Sequence, residues 1–290
     1  CWKKQGHGFM KLRNAIKQSC DIYFYETARL LGVDKLSIIA KRFGLGSKIL
    51  DGIYSDEKKG LVPNTKWKKN ALETSWYLGE TVINGIGQGY IQTTPLQLCL
   101  MTAQLANGGY KIKPHILYDD SIKYEEVRKK IEIDLALNQK NFLTSNKDML
   151  QEQEIKPYQR MYKNIDNIKF VLEAMYASTN EMYGTSFKSR YEDIKYQFAG
   201  KTGTSQIRKI TDKERKLNLK QSEIEYKRRD HALYIAFAPY KDPRYSLSVH
   251  IEHGGSGSKA AAPIARKIIK KTIDRHQIRN QIRKRNIILT

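Results

Sequence analysis

The run Ala199-Gly200-Lys201-Thr202-Gly203-Thr204-Ser205-Gln206 constrains this chain most, because two strand-like segments come after it. Those segments, Asp230–Pro239 and Tyr245–Glu252, are rich in β-branched and aromatic residues, and the turn residues Asp242-Pro243 separate them. They predict an antiparallel hairpin that continues the strand carrying Lys201. His253-Gly254-Gly255-Ser256-Gly257 ends the second strand and leads into a helix expected from about Ala260 to Arg275. A strand, a hairpin and a helix packed on them predict the α/β (α+β) class, an antiparallel sheet flanked by helices. The first strand has a chemical character of its own. Gly203 lets another backbone come close. A strand edge offers N–H groups to developing negative charge, a lysine biases local proton transfer, and the hydroxyls of Thr202 and Thr204 suit a carboxylate.

Upstream, Ile16, Tyr23, Ala28 and Leu31 keep helical spacing and predict one amphipathic helix from about Leu12 to Leu31. Ser19-Cys20-Asp21 lies inside it. Asn84–Tyr90 carries Gly85, Gly87 and Gly89 and runs through Thr93-Thr94-Pro95 into a helix expected over Pro95–Asn107, where Gly108-Gly109 ends it. Three glycines of this kind resemble a phosphate-binding loop, but no Lys-Ser or Lys-Thr comes after them, so packing is the expectation. The polar stretch between Tyr118 and Asp166 has no sustained periodicity and reads as an excursion, succeeded by a helix over Ile165–Ala177.

Five blocks in one order carry a resemblance: Gly6-His7-Gly8; Gln18 to Tyr25; Asn84 to Tyr90 with Thr93 to Gln97; Ala199 to Gln206; and Glu252 to Ser258. Together they resemble the transpeptidase domain of class B penicillin-binding proteins, most closely the elongation group called penicillin-binding protein 2. The resemblance implies a penicillin-binding-protein/β-lactamase-like fold. It also implies an activity: an active-site serine is acylated by a D-Ala-D-Ala stem peptide and passes the acyl group to a neighbouring stem amine, cross-linking peptidoglycan during cell elongation. β-Lactams inhibit by mimicking the donor. The implied setting is the bacterial inner membrane, with the catalytic domain in the periplasm. The implied partners are a glycan polymerase of the shape, elongation, division and sporulation type and other elongation proteins.

The family uses three motifs, and the resemblance assigns two of them here. Ser19 would relay protons and Asp21 would bind a substrate amide. Lys201 belongs to the strand motif, with Thr202, Gly203 and Thr204 as substrate-binding residues and the Thr204 N–H in the oxyanion hole. Aspartate at position 21, where many relatives have asparagine, changes the charge of the site. The nucleophile motif Ser-x-x-Lys precedes the middle motif by a few dozen residues in the family, so it is expected upstream of Cys1. The chain would then be a C-terminal fragment without its nucleophile segment or membrane anchor, inactive alone, with a transpeptidase domain over 1–275 interrupted at about 118–165 and a basic tail over 276–290. Two internal matches are read as decoys. Ser55-Asp56-Glu57-Lys58 sits among charges near Gly60 and Pro63 and describes an exposed turn, whereas a nucleophilic serine must open a buried helix that desolvates its lysine. Ser178-Thr179-Asn180 is read as the end of a helix.

Cys1, His7 and Cys20 are of metal-ligand type, and zinc takes four such ligands. The resemblance implies a structural zinc beside the middle motif, with His7 and Cys20 on two ligand positions, Cys1 near a third and the fourth outside this sequence. A buried thiol at Cys20 and a loop histidine is the alternative. No cofactor is expected for catalysis. Cys99, inside an apolar helix, reads as core, and His231 and His253 read as structural strand-end residues. Three cysteines in all predict no disulfide framework.

The net charge of +22 is concentrated in Lys3–Lys69, Arg208–Arg229 and Arg266–Arg285 and raises nucleic acid as a rival partner. Acids interleaved through Ile207–Asp230 and the lack of any nucleic-acid-binding signature argue for a solvated surface, one that also suits anionic lipid or cell-wall polymer. No apolar run reaches the roughly 20 residues that cross a bilayer. Open alternatives are a serine β-lactamase or D,D-carboxypeptidase, which use water as acceptor, a non-catalytic module of the same fold, and a basic nucleic-acid binder.

Overall fold

A computed structural model describes residues 1–3, 5–50, 54–114, 116, 133, 159–207 and 223–288. Most of the polar excursion expected at 118–165 therefore lies outside the described residues. The basic run at 208–222 does too.

Among the described residues three strands form one antiparallel sheet: β1 (Ala199–Ser205), β2 (His231–Ala238) and β3 (Tyr245–Ile251), in spatial order β1-β2-β3. Lys201 pairs with Ile235, Thr202 with Tyr234 and Gly203 with Leu233. The hairpin read from Asp230 to Glu252 is present, and β1 lies at one edge of the sheet among the described residues.

Both faces of the sheet are covered, which is why β2 reads as a continuous apolar run rather than an alternating one. One face packs Phe198, Ala232, Tyr234, Ala236, Ala238 and Val249 against Ala261, Ala262, Ala265, Ile269 and Ile273. Alanines on both sides let the C-terminal helix approach closely. The other face sets Ala199 and Phe237 against Met175, with Leu105, Ala106, Val171 and Leu172 around them. Those residues come from α6 (Pro95–Ala106) and α7 (Ile165–Asn180).

The helix expected over Leu12–Leu31 is two helices, α1 (Leu12–Gln18) and α2 (Asp21–Leu31). Ser19 separates them in the left-handed region, φ 51° and ψ 58°, a conformation that closes α1 as a C-cap while Cys20 takes extended backbone and starts α2. Apolar spacing cannot reveal such a break, because it persists across it. Next come α3 (Val33–Arg42), α4 (Thr65–Leu72) and α5 (Leu78–Asn84). Of the glycines expected to pack after α5, Gly85 does so closely, since a Cβ there would collide with Ala28 of α2 and lie 3.0 Å from Phe24 O, whereas a Cβ on Gly87 would meet open space. The Thr94 side chain caps α6 by accepting from Gln97 N at 3.2 Å, with Pro95 in the first turn. Two further boundaries differ from the sequence reading. The helix expected over Ile165–Ala177 runs three residues further, so Ser178, Thr179 and Asn180 form the end of α7, as read, and Glu181 caps it in extended backbone. The C-terminal helix α8 spans Ala262–Ile288, so much of the expected basic tail is helical.

Candidate active site

Two motifs 182 residues apart in sequence meet at one hydrogen bond: the Lys201 Nζ donates to Ser19 Oγ. The lysine also donates to Thr202 O at 3.0 Å. The helix break is what makes the meeting possible. A serine inside a continuous helix tends to bond back to its own backbone, whereas Ser19 at the left-handed junction offers its hydroxyl to β1. Desolvation holds Lys201 well below an ordinary lysine, at about 8 from 10.5, and the nearby Asp21 carboxylate partly opposes that fall. At neutral pH roughly one lysine in ten is then neutral, far more than for a solvated lysine. This fixes the proton balance of Ser19. Because Lys201 donates to its oxygen, the Ser19 O–H is free to donate elsewhere.

The N-terminal residues brace this junction. Trp2 N donates to Asp21 Oδ2 at 3.0 Å, and Trp2 Nε1 donates to Ser19 O at 2.9 Å and Gln18 O at 3.2 Å. The Trp2 ring meets His7 edge-on with centroids 5.4 Å apart. Sequence reasoning gave Trp2 no part; a tryptophan shortly before a Gly-His-Gly turn was the available signal.

On β1, Thr202 Oγ1 lies 3.0 Å from Thr185 Oγ1. Thr204 is exposed and Gly203 is half-buried. A Cβ on Gly257 would lie 2.6 Å from Gly203 O and 2.5 Å from Leu233 O, so the last sequence block packs its backbone directly on the strand bearing Lys201. Beneath the strand lies a cluster of buried hydroxyls. Tyr234 OH is 3.0 Å from both Thr179 Oγ1 and Ser186 Oγ, and burial pushes its phenol up to about 12. Gly200 carries no Cβ because the Tyr234 hydroxyl fills that space. Sequence reasoning gave Thr185 and Ser186 no part either; a Gly-Thr-Ser run just past a helix end marks the turn but not its target.

The decoys stay apart from the site. Ser55 is on an exposed turn, where its carbonyl accepts from Lys48 Nζ at 3.3 Å. Ser178 and Thr179 are fully buried in the hydroxyl cluster. His253 N donates to His231 Nδ1 at 2.9 Å, a structural pairing of the strand ends. Cys99 is half-buried with its Sγ 3.3 Å from Ser246 Oγ.

Cys1, His7 and Cys20 do converge, their ligand atoms all within 4.8 Å of one another. Cys1 Sγ and His7 Nδ1 are 3.4 Å apart, and His7 Nε2 is buried with no hydrogen-bond partner. Burial and Lys3 hold the His7 imidazole below its usual range against the pull of Asp21, favouring the neutral, ligating form. Two thiols and an imidazole, one ring nitrogen unsatisfied, form a donor set that fits zinc with one position left to another ligand.

Comparison with known proteins gives the family. Residues 1–270 match the family model of the penicillin-binding protein transpeptidase domain. The peptidoglycan D,D-transpeptidase MrdA of Salmonella typhimurium is 34% identical over 274 residues, 94% of this chain and 40% of that protein. A crystal structure of Pseudomonas aeruginosa PBP2 in complex with WCK 5153 shares 33% identity, with a TM-score of 0.67 over 92% of this chain and 48% of that one. Helicobacter pylori PBP2 in complex with MreC shares 27% identity and a TM-score of 0.70, over 94% of this chain and 42% of that one. The chain thus spans about 40% of the length of the curated relative it matches. With the Ser19–Lys201 pairing and the match over residues 1–270, the chain belongs to the penicillin-binding protein transpeptidase domain family.

Proposed function

We propose that this chain is part of a peptidoglycan D,D-transpeptidase that cross-links stem peptides during cell elongation and is acylated by β-lactams. The observation that carries the reading is the hydrogen bond from Lys201 Nζ to Ser19 Oγ, with Asp21 beside it. A nucleophilic serine from polypeptide outside this sequence gives its hydroxyl proton to the lysine of its own Ser-x-x-Lys motif and attacks the carbonyl of the penultimate D-alanine, and the bond to the terminal D-alanine nitrogen breaks. The leaving amine needs a proton. Ser19 supplies it, since its O–H is free to donate while Lys201 restores the balance at its oxygen. The ester is then attacked by an acceptor amine, whose proton goes back to Ser19 and Lys201, while the serine–acyl bond breaks and the Ser-x-x-Lys lysine returns the serine its proton. Thr202 and Thr204 bind the donor carboxylate, Asp21 binds a donor amide, and the Thr204 N–H contributes to the oxyanion hole.

Support for the setting comes from relatives. The P. aeruginosa neighbour is bound to WCK 5153 and the H. pylori neighbour to MreC, so a similar elongation partner is proposed here, together with a glycan polymerase. Among the described residues no helix is long and apolar enough to cross a membrane; anchoring at the inner membrane with the domain in the periplasm is proposed from the family reading. Cys1, His7 and Cys20 would hold a structural zinc, which would tie the N-terminal residues to the Ser19 junction and take no part in the chemistry.

The test is covalent labelling with a fluorescent penicillin, read by gel and intact mass, on this chain and on the full-length protein. Labelling of the full-length protein that is lost in Lys201→Ala, with the fold kept, is the expected result. Equal labelling of Lys201→Ala overturns the role of Lys201. Labelling of the chain alone places the nucleophile within it, and rapid turnover of bound drug would indicate hydrolysis in place of transfer.

A further inference from the structure

The turn after α7 touches both motif-bearing elements at one residue. Thr185 N donates to Lys17 O at 3.2 Å, two residues before Ser19, while Thr185 Oγ1 lies 3.0 Å from Thr202 Oγ1, next to Lys201. The turn itself is held firmly. Ser186 donates to Ser178 O through its N–H at 3.0 Å and its hydroxyl at 3.1 Å. Gly184 lies so close to the helix end that a Cβ there would sit 2.6 Å from Ala177 O. Ser186 also meets Tyr234, the residue paired with Thr202 across the sheet.

A count of hydroxyl protons gives this arrangement a direction. Ser178 Oγ is fully buried, and its hydroxyl neighbour is Thr185 Oγ1 at 3.1 Å. Each hydroxyl has one proton to donate. When Ser178 donates to Thr185 and Thr185 donates to Thr202, each proton is used and the Thr202 O–H is left free to point outward. The opposite direction would commit the Thr202 proton to Thr185 and leave only lone pairs facing a ligand. A carboxylate needs a donor, so it selects the first direction.

We propose that Thr185 is a positioning residue: it holds the Thr202 hydroxyl as a donor toward the ligand carboxylate and fixes that donor relative to the end of α1 that carries Ser19. The proposal rests on the transpeptidase reading and adds the residue that sets recognition of the carboxylate. Thr185 itself touches no substrate.

The experiment compares the full-length wild type with Thr185→Val, Thr185→Ser, Thr202→Val and the double variant Thr185→Val/Thr202→Val. The probes are benzylpenicillin and its methyl ester, and the readout is the second-order acylation rate by intact mass. Thr185→Val should lower the rate with the free acid about tenfold, the loss expected when one hydrogen bond to an anion is misdirected, and leave the ester rate within about twofold. Thr185→Ser should keep the wild-type ratio of the two rates. In the Thr202→Val background the Thr185 change should cost nothing further. Equal losses with acid and ester, or full additivity in the double variant, overturn the proposal, since a merely structural turn would lower both rates alike. No acylation of the wild type by either probe would instead overturn the transpeptidase reading beneath it.

Discussion

Replacing Lys201 by methionine should make the protein more stable near neutrality while abolishing acylation. The magnitude comes from the burial of the amine. A lysine that titrates at about 8 in the folded state and near 10.5 unfolded costs the fold about 3 kcal/mol at pH 7, where both states are mostly protonated. Methionine removes that cost with a side chain of similar length. It also removes the hydrogen bonds to Ser19 Oγ and Thr202 O, worth about 1 kcal/mol each. The expected net gain is about 1 kcal/mol at pH 7. The pH dependence is the sharper signature. Because the folded pKa is the lower one, the penalty is full below about 8 and fades as pH rises toward 10.5, so wild type should gain on the variant by about 3 kcal/mol across that window. Side-by-side urea unfolding of the two proteins from pH 7 to 10.5 measures this. A variant already less stable than wild type by more than about 1 kcal/mol at pH 7, or a gap flat across the window, would refute the claim that the active-site lysine is held at the expense of stability.

Further expectations concern the supports of the site. Glu181 is pulled down to about 2, first by its bond with Arg13 and then by Lys17. With its side chain 34% exposed, screening reduces its contribution to about 1–2 kcal/mol, present above pH 4.5 and lost as pH falls toward 2. Glu181→Gln should therefore lower unfolding stability at pH 7 and have no effect near pH 2; equal losses at both would argue for packing instead. Gly257→Ala should cost more than about 2 kcal/mol and weaken penicillin labelling, since the added Cβ meets the backbone oxygens of Gly203 and Leu233, which cannot swing aside. Labelling and melting temperature equal to wild type would show that the loop is free to retreat. Metal analysis of the full-length protein should find one zinc per chain, lost in Cys20→Ala along with several degrees of melting temperature. Wild type without stoichiometric zinc removes the site.

The sequence carried the sheet well. A run such as His231–Ala238, apolar at nearly every position and flanked by turn residues, has few alternatives to a strand covered on both faces. It also carried Ser19, Asp21 and Lys201 to one place, through the order of blocks rather than any single motif. What it hid is local and conformational. The break at Ser19 costs one residue an unusual φ, and no apolar period registers that. Ser178-Thr179-Asn180 matched a relay motif on residue type alone, yet the burial of Ser178 and Thr179 makes them hydroxyl scaffolding for β1. Trp2 and Thr185 were invisible because the partners that tie them to the site, Ser19 and Asp21 for Trp2 and Thr202 for Thr185, lie 17 or more residues away, at distances in the chain that no spacing rule reaches.

One consequence of the sheet order concerns solubility. Among the described residues β1 sits at an outer position of the sheet, beside β2 only. An edge strand's outward N–H and C=O groups can pair with a strand from another molecule. Lys201 guards that rim through its tie to Ser19, which holds the α1–α2 junction against the strand. Neutral substitutions at Lys201 should therefore promote aggregation at high concentration even where the folded monomer gains stability, and a covalently bound β-lactam should suppress that aggregation.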